Sequence, residues 1–123
     1  MIEAAVLCMA LNLFHEARGE PLDGQFAVAQ ATLNRAQRDP AKVCDVVRAK
    51  NQFSWTIKPT GVKDMDAYRQ AEMVARLSFH MQDFTGGADH YHALSVYPSW
   101  APAFDVAGRW GNHVFYKQRK SKR

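Results

Sequence analysis

The sequence of 123 residues is long enough for one domain with one hydrophobic core. Its composition, 47% hydrophobic and 23% charged residues, is typical of a folded globular protein and excludes a disordered chain. The formal net charge is +4, and the basic run over residues 117–123 contributes to it. A positive charge favours anionic partners such as nucleic acid, a membrane or an acidic polymer, although a terminal basic run also occurs simply as a solvated tail.

The N-terminal apolar run ends at Phe14, so it is too short to cross a bilayer. It also lacks the basic start of a signal peptide, because Glu3 is its first charged residue. We therefore expect that the chain has no export route of its own. Two cysteines, Cys8 and Cys44, either form a disulfide or remain buried thiols, and their spacing alone does not decide between these.

Helical spacing of apolar residues predicts four helices. The first covers residues 2–18 and is apolar on most sides, with Leu7 and Leu11 widening its buried stripe. Gly19 and Pro21 end it, and Pro21 begins a second helix that continues to about residue 37. A short helix follows the cap-plus-proline pair at residues 39–40, and a fourth covers residues 65–80.

After Gly86 and Gly87 the pattern changes from helical to strand-like. Residues 90–94 and 113–117 are rich in aromatic and β-branched side chains, which predicts two strands of a small antiparallel sheet. The chain is therefore predicted to be an α+β domain, with its helices first and its sheet last. We place a single domain over residues 1–116 and a basic tail over residues 117–123.

The most informative acidic residue is Glu16, which directly follows a strongly apolar helix face. Burial disfavours an ionised carboxylate and raises its pKa above the usual value of about 4.3. A carboxyl that stays protonated near neutral pH can donate a proton to a leaving oxygen, as cleavage of a glycosidic bond requires. The alternative is an exposed glutamate that pairs with Arg18 or Arg35.

A second carboxylate is needed by most glycosidases, and Glu20 is the nearest candidate. The helix break at Gly19 removes any assurance that Glu16 and Glu20 share a face. Glu20 therefore has a simpler interpretation as a cap of the second helix. Asp83 and Asp105 are further candidates without specific support.

The pair His15-Glu16 suggests a zinc peptidase, but the motif His-Glu-x-x-His fails here. His90 and His92 lie on one face of a predicted strand and, with His113, could bind a metal ion. Such histidines are more often hydrogen-bonded parts of a polar cleft. We expect no metal and no cofactor.

Amide, hydroxyl and aromatic groups alternate in the loop that contains Gln52 and Ser54, and Tyr91 and His92 add similar groups. Sugars are bound by aromatic faces together with neutral donors and acceptors, so this mixture suits a saccharide groove. The aromatic side chains could equally close the small core.

The sequence resembles the SleB-like cell wall hydrolases, which include spore-cortex-lytic enzymes and endolysins of some phages. The resemblance is carried in order, over nearly the whole chain, by these blocks: His15-Glu16-Ala17-Arg18-Gly19-Glu20-Pro21, Gly24-Gln25, Ala27-Val28-Ala29, Leu33-Asn34-Arg35, Val43-Cys44-Asp45-Val46-Val47, Gln52-Phe53-Ser54-Trp55, Asp83, Thr85-Gly86-Gly87-Ala88, Tyr91 and Gly111-Asn112-His113-Val114-Phe115-Tyr116.

The resemblance implies a lysozyme-like, lytic-transglycosylase-like fold that cleaves peptidoglycan between N-acetylmuramic acid and N-acetylglucosamine. It implies that Glu16 is the catalytic acid, and we expect Gln52, Ser54, Tyr91, Glu20 and His92 to bind or position the substrate. Cortex-lytic members are lytic transglycosylases, which need no second carboxylate because the C6 hydroxyl of the sugar attacks. An enzyme that acts on the wall works in an oxidising space, which favours a Cys8–Cys44 disulfide.

The chain carries no peptidoglycan-binding repeat, so its compact basic form is closer to a phage endolysin or an isolated catalytic domain than to a spore enzyme. We expect a monomer that acts on peptidoglycan in the periplasm or outside the cell and binds no nucleic acid. An endolysin would leave the host cytoplasm through a pore, and its basic tail would contact anionic wall or outer-membrane polymers. The alternatives are a hydrolysing muramidase or glucosaminidase, a wall-binding module without activity and, more distantly, a metallopeptidase.

Overall fold

The computed structural model describes residues 2–51 and 64–119, and in these ranges four α-helices precede a three-stranded sheet. Short 3-10 helices at Pro40–Lys42 and Ala101–Ala103 interrupt the connections. The predicted α+β order is therefore confirmed. The elements are α1 Glu3–Glu16, α2 Leu22–Arg35, α3 Val43–Asn51, α4 Met65–Ser78, β1 His90–Ala93, β2 Asp105–Trp110 and β3 His113–Lys117.

Helix α1 is the central element, because it packs against α2, α3 and α4. Most of its side chains are buried, and Met9 and Ala10 have no exposed surface. Leu11 is buried as predicted, whereas Leu7 is 41% exposed, so the buried stripe is narrower than its composition suggested. In the described ranges, no helix combines the length and apolar character needed to cross a membrane.

The helix ends follow local sequence signals. Helix α1 ends at Glu16 rather than Arg18, and Gly19 adopts the left-handed backbone (φ 83°) that reverses the chain before α2. The predicted cap before the short helix is confirmed, because the Asp39 carboxylate accepts a hydrogen bond from the Ala41 N–H. The Asp64 carboxylate caps α4 in the same way through the Ala67 N–H.

Cys8 and Cys44 form a disulfide, which confirms the favoured pairing. The bond joins α1 to α3 and closes a loop with a sequence separation of 36 residues. Restricting the unfolded chain in this way stabilises the fold by about 4 kcal/mol in the chain-entropy account. It also fixes α1, the helix that ends at Glu16.

The antiparallel sheet has the strand order β1-β3-β2. Strands β1 and β3 were predicted, whereas β2 was missed because its sequence, DVAGRW, lacks strict alternation and is interrupted by a register shift between Val106 and Gly108. Side chains alternate between two faces. Tyr91 and Phe115 are register partners on the face toward the helical core, whereas His90 and Tyr116 are partners on the opposite face.

Candidate active site

Glu16 is the last residue of α1, at the point where the central helix meets the sheet. Its side chain is half-buried, and its Oε1 accepts a hydrogen bond of 3.0 Å from the Tyr91 hydroxyl. Helix α1 and strand β1 are far apart in sequence, so this contact depends on the tertiary fold. The structure therefore brings together two of the residues that the sequence nominated.

Tyr91 is held in place by aromatic neighbours from β3. Its ring packs edge-on against His113 and is tilted against the fully buried Phe115, with centroid distances of 5.5 Å in both cases. Such aromatic pairs restrict ring rotation and add to the stability gained from burial alone. The hydroxyl is thus presented to Glu16 by a fixed ring.

Glu20 is fixed to the turn between β2 and β3. Its Oε1 accepts a hydrogen bond of 2.7 Å from the Asn112 N–H, and its Oε2 accepts one of 3.3 Å from the Asn112 side-chain amide. His113 Nδ1 lies 3.7 Å from Glu20 Oε1. Gly111, at φ 60°, passes so close to this carboxylate that any side chain there would collide with it. Glu20 therefore joins the start of α2 to the turn that leads into β3.

The other acidic candidates are also engaged. The Asp83 carboxylate accepts hydrogen bonds from the Thr85 N–H, the Thr85 hydroxyl and the Gly87 N–H. Partial burial alone would raise the pKa of Asp83, but these bonds, led by the Thr85 hydroxyl, lower it below its usual value. Asp105 accepts a hydrogen bond of 2.7 Å from Arg119 Nε. Both carboxylates therefore stabilise loops and chain ends.

Arg18 extends the end of α1 toward α4. Its guanidinium lies over the Phe14 ring, 4.7 Å from the centroid, and donates a hydrogen bond of 3.1 Å to Asp64 Oδ2. The Ala67 N–H, which Asp64 caps, and the Arg18 charge both hold the pKa of Asp64 below its usual value, against desolvation. Arg18 thus pairs with the cap of α4.

His15 precedes Glu16 and packs edge-on against Phe14. Desolvation lowers the pKa of His15, Glu16 opposes this effect, and the charge of Arg18 adds to it. The imidazole is therefore neutral near pH 7, so it does not bring a positive charge to Glu16.

His92 does not lie with Glu16 and Tyr91. It points to the opposite face of the sheet, where Nδ1 is 2.9 Å from the Ala93 carbonyl oxygen and Nε2 is 2.8 Å from the Tyr116 hydroxyl. Only an N–H can bond a carbonyl oxygen, so Nδ1 donates to Ala93, and Nε2 accepts a hydrogen bond from the Tyr116 hydroxyl. Burial raises the pKa of Tyr116, with Tyr97 acting in the same direction, so this hydroxyl stays protonated.

Strand alternation explains this placement, because Tyr91 and His92 are consecutive in β1 and their side chains point to opposite faces of the sheet. The predicted shared face of His90 and His92 is observed, since both rings pack against Trp100. Within residues 2–51 and 64–119, no group of three histidine, cysteine or acidic side chains is arranged to hold a metal ion. Gln52 and Ser54 lie outside the described residues.

Sequence reasoning missed Asn112 as the partner of Glu20. The residue follows Gly111 in a turn, and a glycine–asparagine pair between two strands signals a hairpin, but not which carboxylate it binds. It also missed the positions of Arg35 and Trp100, which line one cavity beside Tyr91.

A half-buried glutamate at a helix end, oriented by a tyrosine from a small sheet, is an arrangement suited to general-acid cleavage of a glycosidic bond. The family profile described as Cell Wall Hydrolase matches residues 19–116, which is most of the chain. The chain therefore belongs to the cell wall hydrolase family. The match begins three residues after Glu16, so it covers Glu20, Tyr91 and all of the sheet except Lys117, but not Glu16 itself.

Two solved structures share this fold over nearly their whole length. The catalytic domain of the germination-specific lytic transglycosylase SleB from Bacillus anthracis superposes with a TM-score of 0.75 at 25% identity, covering 95% of this chain and 97% of that one. The catalytic domain of the Bacillus cereus SleB protein gives a TM-score of 0.71 at 28% identity, covering 94% and 91%. The predicted lytic-transglycosylase-like fold is therefore confirmed.

A curated relative is the spore cortex-lytic enzyme of Halalkalibacterium halodurans, which is 33% identical over 114 residues. The alignment covers 87% of this chain but 33% of the relative, so this chain spans about a third of that protein's length.

Proposed function

We propose that this chain is a lytic transglycosylase domain that cleaves peptidoglycan between N-acetylmuramic acid and N-acetylglucosamine, with Glu16 as its acid and base. The observation that carries the proposal is the Tyr91 hydroxyl on Glu16 Oε1, which fixes a carboxyl at the junction of helix and sheet. Family membership and the two SleB catalytic domains support the same reaction.

The proposed reaction needs one carboxyl group that changes its role. Protonated Glu16 donates its proton to the glycosidic oxygen as the bond to C1 of muramic acid breaks, which releases the N-acetylglucosamine hydroxyl. The resulting carboxylate then takes the proton from the C6 hydroxyl of the same muramic residue while that oxygen bonds to C1. The product is a 1,6-anhydro ring, Glu16 is protonated again, and no water is consumed.

Tyr91 is the positioning residue in this scheme. Its ring is restricted by His113 and Phe115, so its hydroxyl limits the rotation of the Glu16 carboxyl. A correctly placed acid reduces the entropy that must be lost on the way to the transition state.

The engagement of the other acidic candidates supports an internal nucleophile. Glu20, Asp83 and Asp105 each accept hydrogen bonds from neighbouring backbone or side-chain groups. An inverting enzyme needs a second carboxylate that is able to activate water. The transglycosylase mechanism does not have this requirement.

Mass spectrometry of fragments released from purified peptidoglycan tests the proposal. Products that end in anhydromuramic acid are expected. Reducing-end muramic acid would instead indicate a muramidase that uses water, and reducing-end N-acetylglucosamine would indicate a glucosaminidase. Binding to the wall without any fragments would indicate a binding module. Loss of activity in chelator, together with peptide products, would indicate a metallopeptidase.

We further propose that the protein acts as a monomer on wall exposed to the periplasm or cell exterior, in the manner of an endolysin, and that its basic C-terminus contacts anionic polymers. Lys117 ends β3 and Arg119 pairs with Asp105, so only the residues after Arg119 are suitable for truncation. If residues 120–123 contribute, their removal should slow lysis at low salt and have less effect at high salt. Unchanged lysis at low salt would remove a role for them.

A further inference from the structure

An open cavity of about 310 Å³ lies at β1, the strand that carries Tyr91. Among the described residues, its lining includes Arg35, Ala49, His90, Tyr91 and Trp100. Tyr91 lines this cavity, and its hydroxyl also donates a hydrogen bond to Glu16. Tyr91 therefore connects the cavity to Glu16, and a ligand group in the cavity would lie one side chain away from the proposed acid.

Arg35 supplies the charge of this cavity. It is the last residue of α2, and its side chain is exposed. Within residues 2–51 and 64–119, Arg35 has no hydrogen bond or ion pair from its side chain, whereas every other arginine there has at least one polar partner. The guanidinium of Arg35 is thus available to bind an anion.

The aromatic part of the lining is fixed in place. The His90 ring packs against Trp100 and Phe104, with centroid distances of 5.2 and 4.6 Å. The carboxylate next to His90, Asp89, has its Oδ1 3.0 Å from His90 Nδ1 and also accepts a hydrogen bond from the Gln118 N–H. The charge of Asp89 is therefore already partly compensated, and the described part of the cavity combines a rigid aromatic wall with the guanidinium of Arg35.

This combination matches a carboxylate on a short organic chain better than it matches a neutral sugar. A guanidinium binds a carboxylate through two parallel N–H donors, while a rigid aromatic wall accepts aliphatic and amide groups. In peptidoglycan, every peptide-bearing muramic residue carries such carboxylates close to the sugar. Phosphate polymers are attached only at occasional sugars, so they do not accompany each cleavable bond.

We propose that the cavity formed by Arg35, His90, Tyr91 and Trp100 binds a carboxylate of the peptide attached to muramic acid, so that the enzyme prefers peptide-bearing glycan. This inference rests on the proposed function. The contact is made in the ground state and in the transition state alike, so its loss should slow cleavage mainly when substrate is scarce.

The test compares four substrates made from one batch of purified sacculi. One is native, a second has its carboxylates amidated with carbodiimide and ammonia, a third has its wall phosphates removed with hydrofluoric acid, and the fourth has both treatments. Initial rates of fragment release at low substrate loading are measured for the wild type and for Arg35→Gln. Arg69→Gln is the matched control, because Arg69 is 72% exposed and its weak pairing within α4 is remote in sequence from the cavity.

On native sacculi, Arg35→Gln should be slower than the wild type by about tenfold, the value expected from losing one charge-assisted hydrogen bond. Amidation should slow the wild type and Arg69→Gln by a similar factor and leave Arg35→Gln nearly unchanged. Thermal unfolding of both variants should match that of the wild type, since both side chains are exposed.

Equal wild-type rates on native and amidated sacculi would overturn the inference and leave the proposed function intact. The same holds if Arg69→Gln is as slow as Arg35→Gln, or if the effect of Arg35 follows removal of phosphate rather than amidation. Absence of glycan fragments from every substrate would overturn the proposed function, and this inference with it.

Discussion

Glu16, the last residue of α1, and Glu20, just before α2, lie four residues apart but differ in burial and in hydrogen-bond partners. Glu16 is half-buried and meets a tyrosine hydroxyl from β1. Glu20 has a side chain only 13% exposed, and its two oxygens are bonded to the backbone and side chain of Asn112. One carboxyl is placed by a side chain, whereas the other forms part of the connection between a helix and a turn.

The difference shows how hydrogen-bond partners distinguish a reactive carboxyl from a structural one. The Glu20 carboxylate cannot move toward a substrate without leaving the donors of Asn112 unpaired. We therefore propose acid–base chemistry for Glu16 alone, and a role for Glu20 in stabilising the β2–β3 turn.

The largest expected effect is on activity, from Glu16→Gln. The amide keeps the shape of the side chain and an oxygen that can accept the Tyr91 hydrogen bond, but it cannot donate and recover a proton. Release of fragments should fall by about 10²–10⁴-fold, the usual contribution of a general acid–base group, with little change in thermal unfolding.

The matched control is Glu72→Gln on α4, because Glu72 makes only a partly exposed ion pair with Arg76, at 3.6 Å. This variant should keep wild-type activity. If Glu16→Gln retains most of its activity, the assignment of the acid is wrong, even though the contact with Tyr91 exists.

The next largest effect is on stability, from Glu20→Ala. Losing the two bonds to Asn112 should lower the free energy of unfolding by about 2–3 kcal/mol, measured by denaturant titration. Glu20→Gln should lose roughly half of this free energy, because its amide oxygen can still accept a hydrogen bond from the Asn112 N–H.

At a temperature where the variant is folded, Glu20→Gln should retain glycan cleavage. If its cleavage falls as far as that of Glu16→Gln, the two carboxyls form a catalytic pair.

A double-mutant cycle with Gly111→Ala sharpens this second prediction. The added methyl group meets the Glu20 carboxylate and is also strained at φ 60°. Shortening residue 20 removes the collision but not the backbone strain. Gly111→Ala should therefore cost less in the Glu20→Ala background than in the wild type. If the losses in the free energy of unfolding are strictly additive, residues 20 and 111 do not interact sterically.

The helices were predictable because each carries a local signal. Helical spacing, Gly19, the Asp39 cap and the cysteine pair are all visible in the printed sequence, and the structure contains each of them. The strand β2 was not predictable on the same basis. It pairs with β3 in the antiparallel sheet, and the bulge between Val106 and Gly108 breaks the alternation that would have revealed the strand.

Members of the candidate site could be proposed from the sequence, but their arrangement could not be predicted. The family resemblance selected Glu16 and Tyr91, yet no local rule indicates that one hydrogen-bonds the other across the fold. For His92 the sequence suggested a place near the substrate, and strand alternation sends it to the opposite face, against Tyr116. Pairings between distant segments depend on packing, which a single sequence does not specify.

The smallest expected effect is on catalytic rate, from Tyr91→Phe, because Tyr91 donates the hydrogen bond that Glu16 accepts. Tyr91→Phe keeps the ring against His113 and Phe115 but removes the hydroxyl at 3.0 Å from Glu16 Oε1. If that hydroxyl orients the acid, kcat on soluble glycan chains should fall about five- to tenfold while KM stays within twofold, since one hydrogen bond is worth about 1 kcal/mol. Tyr97→Phe is the matched control, because Tyr97 is 69% exposed on the opposite side of the sheet. A rise in KM with unchanged kcat would show that Tyr91 binds the substrate instead of orienting Glu16, and an unchanged kcat and KM would mean that the acid is oriented without the Tyr91 hydroxyl.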